Sequence, residues 1–168
     1  MVMKMKNLYF ISGTMGVGKT TVCQQLKMDL PNRVFLDGDW CWDANPFQVT
    51  EETKAMVIDN ICYLLNHFLQ CSAYENVIFC WVMNQQNIID SIVEKLDTKN
   101  CNVKSISLMV DEKQLCDRLR ADVASGRRTA DIIARSIARI PMYQELKTIK
   151  IDTNKKTIKM IVNEIKTL

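Results

Sequence analysis

Gly13-Thr14-Met15-Gly16-Val17-Gly18-Lys19-Thr20 fits the pattern G-x-x-x-x-G-K-[ST], a glycine-rich loop that cradles phosphate groups. Its flanks suit the pattern. Leu8-Tyr9-Phe10-Ile11 reads as a short buried strand and Thr21 to Leu30 as a helix, the strand–loop–helix setting that such a loop needs. With no Cβ at the glycines the backbone curls tightly and aims successive N–H groups at phosphate oxygens. The helix behind adds unpaired N–H groups and a partial positive charge. Gly13 through Thr20, with Thr21 beside them, are therefore the expected binding site for the phosphates of ATP. Lys19 is expected to reach the β- and γ-phosphates and to serve catalysis, and the Thr20 hydroxyl to ligate Mg²⁺.

A chain of 168 residues fits one domain with a real core, residues 1–168. Its apolar and charged fractions are those of a soluble globular protein. A net charge of +3 is too small to argue for a nucleic-acid partner, and none is expected. Met1 to Lys6 carries two lysines, and the apolar run behind it is short and enters the phosphate loop. That is a first strand, not a signal peptide or a membrane span. Seven cysteines form no C-x-x-C pair and their number is odd, which argues against a zinc site or a disulfide framework and for a reducing cytoplasm. His67, the only histidine, falls in a helical pattern and reads as a packed or surface residue.

Taken in order, Asn7–Ser12 is the first strand and Gly18 to Leu30 the first helix, stopped by Pro31-Asn32. Val34-Phe35-Leu36 is a second strand running into Asp37-Gly38-Asp39. Thr50 is an N-cap, followed by a long helix to Cys71 with Met56, Ile61, Leu64, Leu65 and Phe68 on its apolar face. Asn76 to Met83 is a nearly continuous apolar run, as a strand buried on both faces requires. A helix over Gln86–Leu96 and a strand over Val103–Val110 follow. Asp111 with Gln114 starts a helix to Ala124. Ser125-Gly126 interrupts it, and another helix spans Thr129–Leu146 with a kink near Pro141. Thr148–Ile151 is the last strand, and a terminal helix carries Ile158, Ile161, Val162 and Ile165. Strands alternating with helices predict an α/β fold, a three-layer doubly wound parallel sheet.

Ligands of an open parallel sheet sit at the carboxyl ends of its strands. Asp37 and Asp39 end the second strand. Asp39 is the candidate catalytic group that accepts or orients the proton of an acceptor hydroxyl. Asp37 is a candidate metal residue. An Asp-Gly turn that merely closes the strand is the plainer alternative. Six of the seven arginines, Arg118, Arg120, Arg127, Arg128, Arg135 and Arg139, fall in one stretch around Gly126, while the fifteen lysines lie mostly elsewhere. A planar fork suits phosphate recognition, so residues 118–139 are the expected arginine-bearing helical lid. It would close over ATP and stabilise charge on the transferring group. Trp40 and Trp42 are candidate substrate contacts beside Asp39. Trp81, inside an apolar strand, reads at least as well as core.

With these pieces the chain resembles a small P-loop kinase of the nucleoside-monophosphate-kinase superfamily. Asp-x-Asp after the second strand is similar to shikimate kinases and Asp-Gly-Asp to adenylylsulfate kinases. Leu115-Cys116-Asp117-Arg118-Leu119 resembles the lid entry of adenylate kinases, which implies that Arg118 lies against the adenine and ATP. Arg128 and Arg139, eleven apart, with Tyr143 four further on, match the spacing of their later lid arginines. That match implies phosphate contacts, a catalytic one for Arg128. Ile151-Asp152-Thr153 resembles the segment beside the adenine in gluconate-kinase-like and shikimate-kinase-like enzymes, so Asp152 joins the nucleotide set. The resemblance implies a five-stranded sheet of order 2-3-1-4-5. It also implies ATP and Mg²⁺ as cofactors, a small-molecule phosphoryl acceptor and a monomer or homodimer.

Departures shape the acceptor. Adenylate kinases carry an arginine three residues after the Asp of their Gly-Asp motif; here that position is Trp42. Their arginine after strand three is missing from Met83-Asn84-Gln85-Gln86, and their second lid-entry arginine is replaced by Asp122. A neutral or aromatic hydroxyl compound fits these losses better than a monophosphate. The sequence reading is thus an ATP-dependent kinase acting on a small-molecule hydroxyl. Its alternatives are a nucleoside monophosphate kinase and a nucleotide-binding regulatory module with little turnover. A GTPase switch would want Asn-Lys-x-Asp, and Asn154-Lys155-Lys156-Thr157 fails at the last position. A motor-type ATPase would want acids ending a central strand, which Val82-Met83-Asn84 does not supply. A nucleic-acid end kinase would want a basic groove, against the modest charge.

Overall fold

The computed structural model describes residues 4–168; Met1, Val2 and Met3, part of the expected single domain and of the N-terminal reading, lie outside the described residues. Five strands form one sheet: β1 (Lys6–Ser12), β2 (Arg33–Asp37), β3 (Asn76–Cys80), β4 (Cys101–Met109) and β5 (Ile149–Asp152). Every ladder is parallel and the order is β2-β3-β1-β4-β5, as expected. The helices are α1 (Lys19–Asp29), α2 (Glu51–Gln70), α3 (Gln86–Glu94), α4 (Glu112–Ala124), α5 (Asp131–Ala138), α6 (Ile140–Gln144) and α7 (Ile158–Lys166).

Side-chain alternation along the strands divides the core into two layers. Tyr9 and Ile11 of β1, with Ile78, Ile106 and Leu108, pack beneath α1, α4, α5 and α7. Leu8 and Phe10, with Val77 and Phe79, pack beneath α2, α3 and α6. Phe10 and Phe79 are register partners and meet edge to face at 5.2 Å. Such buried rings anchor a layer, and truncating one to Ala costs about 3–5 kcal/mol. Thr50 caps α2 in a reciprocal capping box with Thr53. Asn66 of α2 ties to the end of α3, donating to Lys95 O at 2.9 Å and accepting from Asp97 N at 2.9 Å, and Asp59 pairs with Lys95 at 2.7 Å.

Several boundaries differ from the sequence reading. β3 ends at Cys80, so Trp81 leaves the sheet half-buried while Met83 returns to the core without pairing. The apolar run records burial, which here outlasts the ladder. On α2, Ile61 and Leu65 are buried as expected, but Val57, Cys62 and Leu69 complete the core face and Met56 is exposed. The helix expected over Thr129–Leu146 is two helices parted at Arg139, with Pro141 in the first turn of α6, where its missing N–H is harmless. A short 3-10 turn, Gly38–Cys41, follows β2.

Candidate active site

The phosphate loop joins β1 to α1 and rests on α4. Gly16 has φ +85°, and a Cβ there would come within 2.6 Å of Leu119 Cδ2, so only glycine fits both the conformation and the approach. Thr14 Oγ1 donates to Ser136 O at 2.7 Å, fastening the loop to α5. Lys19 Nζ folds onto its own loop, donating to Gly13 O at 2.8 Å and Thr14 O at 3.2 Å. Burial pushes the pKa of this ammonium down, against the raising influence of Cys80, Asp39 and Asp37.

Asp37 is buried and uses both oxygens. Oδ2 accepts from Thr20 Oγ1 at 2.8 Å, and Oδ1 accepts from Asp39 N at 3.1 Å. The second bond caps the 3-10 turn and sets the place of Asp39. The Asp39 carboxyl is pushed up by desolvation and then by the Asp37 charge, while Lys19, the Trp81 indole and Arg128 pull it down. Thr20 and Asp37 thus offer a hydroxyl and a carboxylate oxygen side by side, the hard donors that suit Mg²⁺.

A cavity of about 470 Å³ unites these groups. Met15, Gly16, Gly18, Lys19, Thr20 and Thr21 form its floor. Asp37, Asp39 and Trp81 form one wall; Arg118, Asp122, Arg127 and Arg128 form the other. Arg118 is fixed by Val17 O at 3.0 Å and Gln114 Oε1 at 3.3 Å. Arg128 Nε donates to Asp122 Oδ2 at 3.3 Å, and Arg127 pairs with the same carboxylate at 3.6 Å. Opposed basic and acidic walls over a phosphate loop can hold a polyphosphate and present its end to Asp39.

Other candidates lie apart. Gly13, Thr14 and Val17 of the loop are buried, outside the cavity lining. Arg139 is half-buried at the α5–α6 junction, beside Tyr143 and outside the lining. Asp152 ends β5 exposed, its carboxylate accepting from Asn154 N at 2.9 Å and Nδ2 at 2.6 Å. Trp40 is exposed and turned edge-on to Phe35 at 5.2 Å. Trp42 stacks near Phe47 at 4.3 Å and borders a second cavity, about 440 Å³, between the loop 41–48 and α2. Two α2 side chains hold that loop: Asn60 Nδ2 donates to Cys41 O at 3.1 Å and Thr53 Oγ1 to Gln48 O at 2.9 Å. Sequence reasoning weighed Trp81 between the acceptor side and the core, reading core at least as well, and treated Asp122 only as a missing arginine; the structure sets Trp81 in the cavity wall against Gly38 and Asp122 against Arg127 and Arg128. Among the described residues no group of three or more His, Cys, Asp and Glu side chains is placed to hold a metal.

Residues 10–138 match the AAA domain family. A shikimate kinase of Bacillus anthracis is 29% identical over 171 residues, spanning 96% of this chain and 97% of that protein. A tunicamycin resistance protein of Deinococcus radiodurans has a similar structure, with TM-score 0.74, 17% identity and 96% and 94% of the two chains covered. A gluconokinase of Sinorhizobium meliloti superposes with TM-score 0.66, 16% identity and 96% and 90% coverage. The structural likenesses establish the fold.

Proposed function

The chain belongs to the AAA domain family, and from that premise we propose that it is an ATP-dependent kinase that transfers the γ-phosphoryl group to a hydroxyl of a small molecule. The observation that carries this reading is the cavity itself: Lys19, Thr20 and Asp37, Asp39 and Arg128 line one space of about 470 Å³. The shikimate kinase relative spans nearly the whole chain and agrees with a small hydroxyl acceptor.

In this reading the loop N–H groups and Lys19, released from the Gly13 and Thr14 carbonyls, hold the β- and γ-phosphates. Thr20 and Asp37 would hold Mg²⁺, which neutralises phosphate charge when bound. Arg118 lies along the nucleotide, and Arg127 and Arg128 close on the phosphates as parts of a lid. Asp39 accepts the acceptor's hydroxyl proton as its oxygen bonds to the γ-phosphorus. The bond to the β–γ bridging oxygen breaks and ADP leaves with that electron pair. A motor-type hydrolase is disfavoured because β3 ends at Cys80 and runs on into Trp81-Val82-Met83-Asn84 without an acid. Free cysteines throughout suit a reducing cytoplasm.

The test is ATP consumption with Mg²⁺ across nucleosides, nucleoside monophosphates, sugars, shikimate-like acids and aminoglycoside or phenicol antibiotics, with products identified by mass spectrometry. A phosphorylated product is expected from one class. ATP binding with no acceptor-stimulated turnover in any class would replace the kinase by a regulatory nucleotide-binding module.

A further inference from the structure

The cations of the candidate site all stand on one side. Lys19, Arg118, Arg127 and Arg128 line the cavity of about 470 Å³ from the phosphate loop and from α4 with the turn behind it. The opposite wall, Asp37, Asp39, Trp81 and Val82 at the ends of β2 and β3, holds two carboxylates and no cation. The sequence keeps this partition beyond the wall. Residues 34–53 include Asp37, Asp39, Asp43, Glu51 and Glu52 and no Lys or Arg, and residues 76–94 have no Lys or Arg either. Among the described residues no ion pair neutralises Asp37, Asp39 or Asp43.

The 3-10 turn Gly38–Cys41 joins that wall to the second cavity. Asp39 lines the first cavity, and Cys41, two residues and about 4 Å further along the turn, lines the second. The second cavity, of about 440 Å³, also has no Lys or Arg in its lining. Asp43 is exposed there beside the half-buried Trp42, whose ring packs on Phe47 at 4.3 Å. A carboxylate next to an aromatic face suits an ammonium group, and the Gln48 amide in the same lining suits hydroxyls. An anionic acceptor would meet only carboxylates here, because the cations opposite are committed to ATP. We propose that the acceptor is a cationic hydroxyl compound of the amino-sugar kind. Its ammonium group sits between Asp43 and the Trp42 ring, and its hydroxyl reaches Asp39. That hydroxyl gives its proton to Asp39 as its oxygen bonds to the γ-phosphorus, and ADP leaves. The transfer step rests on the kinase reading; binding of the ammonium group does not.

Calorimetric titration of the full chain, saturated with Mg²⁺ and the β,γ-imido analogue of ATP, tests this with probes that share skeletons and differ in charge. They are glucosamine and kanamycin, the N-acetylated form of each, and gluconate. The two amines are expected to bind, and the N-acetylated forms and gluconate to bind at least about tenfold more weakly. Raising salt from about 20 to about 200 mM is expected to weaken the amines several-fold and the neutral forms not at all. Trp42→Leu is expected to weaken the amines about tenfold. Asp43→Asn, which keeps the size of the side chain, is expected to weaken them about fivefold with the unfolding temperature unchanged. A neutral form or gluconate that binds as tightly as the amines, no binding of either amine, or wild-type amine affinity in Asp43→Asn overturns the proposal. Amines bound through Asp43 but left unphosphorylated by ATP overturn their role as acceptor. If another class is phosphorylated instead, the kinase reading stands without this proposal; if none is, the kinase reading falls as well.

Discussion

Thr20 Oγ1 donates to Asp37 Oδ2 at 2.8 Å, joining the first turn of α1 to the end of β2, although β3 lies between β1, which leads into α1, and β2. The bond places one hydroxyl and one carboxylate oxygen beside the phosphate loop. Thr20→Val keeps the shape and removes the hydroxyl. Turnover is expected to fall at least about 100-fold and half-saturation by Mg²⁺ to rise. ATP titrations with and without EDTA check it, because affinity in EDTA should not change.

Asp39 and Lys19 separate chemistry from binding. Asp39→Asn is expected to lower phosphoryl transfer by about 10²–10⁴-fold while ATP affinity stays near wild type. Lys19→Ala is expected to abolish ATP-dependent turnover whatever the acceptor. Single-turnover rates beside equilibrium binding distinguish the two losses. Wild-type turnover in Asp39→Asn would remove its role as base.

Arg128 and Asp122 should move in opposite directions. Arg128→Ala is expected to reduce kcat by about 10³-fold, as removal of a phosphate-facing arginine does. Asp122 pairs with both Arg127 and Arg128; in the kinase reading it competes there with phosphate, so Asp122→Asn is expected to bind ATP several-fold more tightly. Calorimetric titration reads both. Weaker binding by Asp122→Asn would mean that the carboxylate orients the arginines for ATP.

Tyr143 tests the packing behind the site. Its ring is buried between β4 and the phosphate loop, and its hydroxyl has no hydrogen-bond partner. Burial pushes the phenol pKa up, so the group stays neutral. An unmet buried hydroxyl costs about 1–3 kcal/mol, so Tyr143→Phe is expected to stabilise the protein by up to about 1 kcal/mol. For a chain of this size that raises Tm by about 2–4 °C. Calorimetry that showed a lower Tm would mean that the hydroxyl is satisfied.

The phosphate loop, the parallel sheet and the Asp37–Asp39 pair were legible because each is fixed by local chemistry: glycine spacing, strand–helix alternation and a carboxylate pair at a strand end; the strand order came only from the family resemblance. What failed depends on neighbours distant in sequence. Hydropathy extended β3 to Met83, yet both ladders stop at Cys80, where β2 also ends at Asp37. Spacing grouped Arg128 with Arg139, but the helix break at Arg139 leaves that guanidinium outside the cavity that Arg128 enters. Trp81 read at least as well as core from its run of apolar neighbours, and its ring lies in the cavity wall against Gly38, which comes from another strand end.

The loop 41–48 is stapled to α2 at both ends, by Asn60 at Cys41 and by Thr53 at Gln48. Asn66 and Asp59 bind the same helix to the end of α3. Loop, α2 and α3 are thus tied to one another side by side. A molecule that settles beside Trp42 meets a loop already tied to α2 at Cys41 and at Gln48 rather than a slack flap.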